Sequence, residues 1–137
     1  MEDFLEKLKD TGEFLPNKYS SLTLAYIGDC VYELYVRMYL IKDGDRKMKE
    51  LHRAAIGYVR ASAQAEYFRR IEGILTEEEA AVFRRGRNTS SHPPKNADMI
   101  DYKMATGVEA LIGYTYLKGD TQRLLYLLDY VTKEGST

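Results

Sequence analysis

The sequence holds one cysteine, three prolines and no tryptophan in 137 residues. A lone thiol, Cys30, excludes an internal disulfide framework, and inside an apolar helical stretch it is expected to be a small buried residue. The formal net charge is −1, so contact with nucleic acid has to rest on a local basic patch and not on overall basicity. No apolar run approaches the roughly 20 residues that span a bilayer. The mixed-charge start Met-Glu-Asp-Phe-Leu-Glu-Lys has no run of signal-peptide length either. These absences predict a soluble, cytoplasmic protein. No period-two alternation, internal repeat or low-complexity tract appears, which leaves an all-α chain. Its length suits a single domain, residues 1–137, with a core from about 20 to 133.

The strongest periodicity lies in residues 22–37, with Leu24, Ile27, Val31 and Leu34 at steps of three and four and Met38 continuing it just beyond. This spacing predicts a helix with a buried stripe, capped by Ser20 or Ser21 and running to about Ile41. A short amphipathic lead precedes it, stopped by Gly12 and Pro16. A helix from about Arg46 follows, with Met48, Leu51, Ala54 and Ala55 on one side and an interruption at Gly57. The next, about Arg60 to Glu72, turns Ala61, Ala65 and Phe68 inward. Thr76 and Glu79 form a capping box that starts a helix through about Arg85. Residues 86–97 are polar and Pro-broken and are expected to be a loop. Asp98 caps a helix over about 99–118. A last helix, about 121–133, carries Leu124, Leu125, Leu127 and Leu128, and the Gly-Ser-Thr tail is expected to fray.

Two apolar helices each carry one embedded acid beside glycine. Asp29 follows Gly28, and Glu109 lies between Gly107 and Gly113. Glycine within a helix costs about 1 kcal/mol relative to Ala, so close backbone approach is expected there. Gly28, Gly107, Ala105 and Ala110 would let the two helices meet and bring Asp29 and Glu109 to one pocket. Carboxylate oxygens suit a hard divalent cation, which makes the pair a candidate metal site. Residue physics leaves a second reading open, in which each is a half-buried acid paired with a Lys or Arg.

Between Ala80 and Ala97 there is no acid, while Arg84, Arg85, Arg87 and Lys95 stand among Asn88, Asn96 and several hydroxyls. Such a set neutralises phosphates and bonds 2′-hydroxyls without reading sequence. A solvated helix end followed by a turn is the plainer alternative. Arg53, Arg60, Arg69 and Arg70 form a weaker basic set. Tyr26, Tyr32, Tyr35, Tyr39, Tyr102, Tyr114 and Tyr116 concentrate on the two acid-bearing helices, suiting a partly wet dimer contact or ordinary core packing.

Tyr-Ile-Gly-Asp-Cys-Val-Tyr-Glu around Asp29 resembles the signature helix of the ribonuclease III catalytic-domain family. Val-Glu-Ala-Leu-Ile-Gly-Tyr around Glu109 resembles that family's second acidic motif. Glu50-Leu51-His52, Ser62-Ala63-Gln64-Ala65-Glu66, Arg84-Arg85-Gly86-Arg87-Asn88 and Pro94-Lys95-Asn96 fit the short Mini-ribonuclease III branch, which has no appended double-stranded-RNA-binding domain. The likeness covers roughly residues 20–118. It implies a ribonuclease III-like helical bundle that forms a homodimer through the signature helices. It further implies Mg²⁺-dependent endonucleolytic cleavage of double-stranded RNA to 5′-phosphate ends, with a precursor stem of large-subunit (23S) ribosomal RNA as substrate. Asp29 and Glu109 would hold the metal and catalyse, and Arg84, Arg85, Arg87, Asn88, Lys95 and Asn96 would hold RNA. The chain departs from the family at three usually acidic positions, which are Ala25, Leu22 and Thr106 here. Asp98, Asp101 and Glu33 stand as substitutes or, alternatively, as caps and surface acids. The departures leave a non-catalytic RNA-binding or dimerisation module as the alternative.

Overall fold

The computed structural model describes residues 4–89 and 92–133. Ser90 and Ser91 of the polar loop, residues 1–3 of the lead and the tail from Glu134 lie outside the described residues. Among those described there are seven α-helices and no strand: α1 Phe4–Lys9, α2 Ser21–Ile41, α3 Met48–Val59, α4 Ala61–Ile71, α5 Glu77–Arg87, α6 Met99–Lys118 and α7 Thr121–Leu128. Single 3₁₀ turns at Pro16–Lys18, Glu72–Ile74 and Asp129–Val131 complete the elements.

The starts and stops follow local chemistry. The Ser20 hydroxyl accepts from the Thr23 N–H at 3.2 Å and opens α2. The Thr76 capping box forms in both directions, with Glu79 N–H to Thr76 Oγ1 at 3.1 Å and Thr76 N–H to Glu79 Oε1 at 2.9 Å. Asp98 accepts from the Asp101 N–H at 2.9 Å and opens α6. Gly119, at φ 87°, closes α6 in the left-handed conformation that glycine enters without a Cβ clash. Gly57 does not interrupt α3, which runs on to Val59 and turns only at the extended Arg60. One helical glycine costs less than breaking the hydrogen bonds on both sides of it. The loop begins after Arg87, because the Asn88 N–H still closes α5 on the Arg84 carbonyl at 2.9 Å.

Helix α6 is the axis of the bundle. From Ala105 to Thr115 every residue is buried except Glu109. α2, α4 and α5 pack around it. α2 approaches until a Cβ on Gly28 would sit 1.7 Å from the Glu109 carbonyl oxygen, and one on Gly113 1.9 Å from that of Leu24. α5 makes a second close crossing, where a Cβ on Gly107 would meet the Phe83 ring at 2.7 Å and one on Gly86 would meet the Ala110 Cβ at 2.9 Å. Gly107 therefore serves α5 and not α2. Phe68 of α4 stacks on Phe83 of α5 with ring centroids 3.7 Å apart. Arg123 of α7 clamps the buried Glu79 at 2.7 Å and also donates to the Ile74 carbonyl.

The buried face of α2 differs from the expected stripe. Leu24, Ala25, Gly28, Tyr32 and Val36 face the core, while Leu34 and Met38 are 46% and 60% exposed. The small residues face inward because close approach to α6 admits nothing larger at Gly28. Ile27, Val31 and Leu34 are left on the outer flank, where they line a groove with Phe4, Leu8 and Phe14. Cys30 lies on that groove and is exposed, correcting the expectation that it is buried. Met48 of α3 is likewise 65% exposed. Arg70 leaves the basic set, since its guanidinium donates to the carbonyls of Tyr130 and Val131 at 2.9 and 3.1 Å. The tyrosines divide: Tyr32 and Tyr114 are core residues and Tyr26 is 79% exposed. No helix among the described residues is long and apolar enough to cross a membrane.

Candidate active site

The close crossing of α2 and α6 positions the two acids. Asp29 follows Gly28, the residue against which α6 presses, and Glu109 belongs to the turn of α6 pressed there. They are close enough for the charge of Asp29 to act directly on the Glu109 carboxyl. No Lys or Arg pairs with either among the described residues, which removes the ion-pair reading of these acids. Gln64 of α4 reaches the same point, its Nε2 lying 3.4 Å from Glu109 Oε2 and donating to the Val59 carbonyl at 2.9 Å. Burial first, and the charge of Asp29 second, push the Glu109 carboxyl up to about 8, while the Gln64 amide works the other way. Two carboxyl groups thus share one site, one of them short of solvent and short of positive charge.

These residues fit a divalent cation. The donors are hard carboxylate oxygens, and a cation between them would relieve both the burial of Glu109 and its repulsion by Asp29. Among the described residues no third His, Cys, Asp or Glu completes a metal-holding cluster. A Mg²⁺ held here would draw its other oxygens from water or phosphate, as that ion commonly does. Of the possible substitutes, Asp98 is spent on capping α6. Glu33 pairs with Arg37 at 2.7 Å, although its charge still reaches Glu109. Asp101 supplies its backbone N–H to that same cap. Thr106, at a usually acidic position, is buried with its hydroxyl on the Tyr102 carbonyl, 3.1 Å away.

The basic residues gather at one end of α5. Arg84 and Arg85 are exposed on its last turn, and Asn88 is exposed at its C-cap. Arg87 is half-buried, lies 5.8 Å from the Phe83 ring centre and donates to Asn88 Oδ1 at 3.2 Å. Lys95 and Asn96 are exposed on the following loop, Asn96 with φ 72°. Gly86, among the arginines, packs against Gly107 and Ala110, so this basic turn crosses α6 at the level of Glu109 but on another face. His52 is exposed and stands on α3. Gln64, quoted above only as part of a motif, is the further residue that the fold brings to Glu109. Its signal was there to read: a polar side chain on the inward stripe of α4, beside Ala65 and Phe68.

Comparison with known proteins agrees with this architecture. Residues 22–120 match the model of the ribonuclease III domain. The chain is 48% identical over 112 residues to a Mini-ribonuclease 3 of Desulfitobacterium hafniense, covering 82% of this chain and 71% of that protein. It is 44% identical over 122 residues to a Mini-ribonuclease 3 of Enterococcus faecalis, covering 86% and 92%. A crystal structure of a Fusobacterium nucleatum protein superposes with a TM-score of 0.75 at 30% identity, covering 82% of this chain and 91% of that one. By the matched domain and by these relatives, the chain belongs to the ribonuclease III domain family, in its Mini-ribonuclease 3 group.

Proposed function

We propose that this chain is a Mg²⁺-dependent endoribonuclease that cuts double-stranded RNA and leaves 5′-phosphate ends. The observation that carries the reading is the uncompensated pair Asp29 and Glu109, placed side by side where the wall of α6 opens to solvent. Asp29 and Glu109 would hold the Mg²⁺. Bound there, the ion supplies neutralisation of charge on the scissile phosphate and an acidified water. Arg84, Arg85 and Lys95 hold phosphates of the duplex, and Asn88 and Asn96 bond backbone and 2′-hydroxyl groups across the shallow minor groove. Arg87, braced on Phe83 and Asn88, gives that end of the surface a fixed cation.

The exposed apolar face of α2 supports a homodimer in which two such faces meet, so that two acid pairs address the two strands of one duplex. On this reading the substrate class is a precursor of large-subunit ribosomal RNA and the site of action is the cytoplasm, as the family resemblance implies. Residues from about 20 to 133 act as one domain on this reading.

Cleavage of an end-labelled RNA duplex by wild type and Asp29→Asn, in Mg²⁺ and in chelator, tests the proposal. Cutting by wild type in Mg²⁺ alone, reduced at least about a hundredfold by Asp29→Asn, is the expected result. A wild type that binds the duplex and never cuts it points instead to an RNA-binding module, in which the acids absent at Ala25, Leu22 and Thr106 are decisive.

A further inference from the structure

Gln64 is 3% exposed on the inward face of α4, where its neighbours Ala65, Phe68 and Ile71 are apolar. Its Nε2 lies between two acceptors, 2.9 Å from the Val59 carbonyl near the end of α3 and 3.4 Å from Glu109 Oε2. Its Oε1 is buried and finds no hydrogen-bond donor. An orphaned buried acceptor is destabilising, and a methionine of similar shape would avoid that cost. Packing alone therefore favours an apolar residue at this position. What an apolar residue lacks is the N–H that ties the α3–α4 corner to the acid on α6.

We propose that Gln64 is a positioning residue for the metal site, its amide braced on the Val59 carbonyl and orienting Glu109 Oε2 so that Glu109 and Asp29 present their oxygens to one divalent cation. The inference rests on the reading of those two acids as metal ligands. It assigns a role to a third element, α4, which carries no acid of the pair. Hydrogen-bond partners that orient ligating carboxylates commonly contribute 10–100-fold to metal affinity or activity.

Mn²⁺ is the probe, and its binding is measured on the full chain without RNA, from the paramagnetic signal of the free ion. The proteins are wild type, Glu109→Gln, Gln64→Met and the double variant. Gln64→Met is expected to weaken Mn²⁺ binding about tenfold or more. Its thermal midpoint should stay near that of wild type, since loss of the bond to Val59 is offset by removal of the orphaned acceptor. With duplex RNA, kcat should fall while KM holds. The double variant should bind Mn²⁺ no more weakly than Glu109→Gln, because Gln64 acts through Glu109. Wild-type Mn²⁺ affinity in Gln64→Met, or additive losses in the double variant, would overturn the proposal while leaving the acid pair standing. A wild type that binds no Mn²⁺, or is unaffected by Glu109→Gln, overturns the metal site itself and this inference with it. Should Gln64→Met not fold, Gln64→Asn keeps an amide but withdraws it by one methylene. Weakened Mn²⁺ binding in that variant supports the proposal, and wild-type affinity overturns it.

Discussion

Glu109 is the one residue between Ala105 and Thr115 that is not buried, yet burial is still the larger influence on its carboxyl, ahead of Asp29. The consequence for stability has a definite sign. The folded-state pKa stands at about 8 against an ordinary 4.5, so between those values the metal-free native state binds more protons than the unfolded chain. Stability then falls as pH rises across that window. Glu109→Gln removes the titration, so its thermal midpoint in chelator should vary less with pH and exceed that of wild type at pH 8. Thermal melts from pH 5 to 9 measure this. A wild-type midpoint that does not decline over the interval would contradict it. Tyr32, one turn beyond Asp29, is also pushed up, by burial above all. It stays a neutral donor to the Tyr58 carbonyl at 3.0 Å.

At the level of elements, two glycine crossings set the distance between helices. Gly28 and Gly113 leave no room for a Cβ between α2 and α6, and Gly86 and Gly107 do the same between α5 and α6. Gly28→Ala would push against backbone, which does not yield as a side-chain tip does. We expect it to destabilise the fold by about 3 kcal/mol or more and to separate Asp29 from Glu109. Gly57 offers the contrast, with nothing within 4 Å of its would-be Cβ. Gly57→Ala should stabilise by about 0.5–1 kcal/mol through helix propensity alone. Urea denaturation of both variants checks the pair, and equal effects would show that the crossing is looser than described. Caps and turns were readable from single residues, since Ser20, Thr76, Asp98 and Gly119 act on backbone a few positions away. Which face of α2 is buried was not readable. That face is chosen by a partner helix about 80 residues distant in sequence, and Gly28 outweighs the larger apolar side chains that dominate the periodicity.

Over the whole molecule the net charge of −1 conceals a segregated distribution, with the cations of α5 and its loop clustered where no acid intervenes. If those cations hold phosphates, affinity for a duplex should fall steeply with salt. Replacing Arg84 and Arg85 by Ala should lower the slope of log K against log salt by about one for each phosphate no longer neutralised, without changing preference among sequences. Filter binding of a catalytically silent Asp29→Asn chain from low to moderate salt measures it. A slope unchanged in Arg84→Ala and Arg85→Ala would remove these residues from the RNA-binding surface.

Local sequence alone makes the chain helical, starts and stops most of its helices, and embeds two acids among small residues. Those properties depend on neighbours within one or two turns. Tertiary structure decided that Asp29 and Glu109 share a site without a cationic partner, that Gly107 serves α5, and that the apolar flank of α2 faces outward. It also brought Gln64 from α4 to Glu109. Each of these depends on which faces meet across long sequence separations, and helical periodicity specifies a face but not its partner.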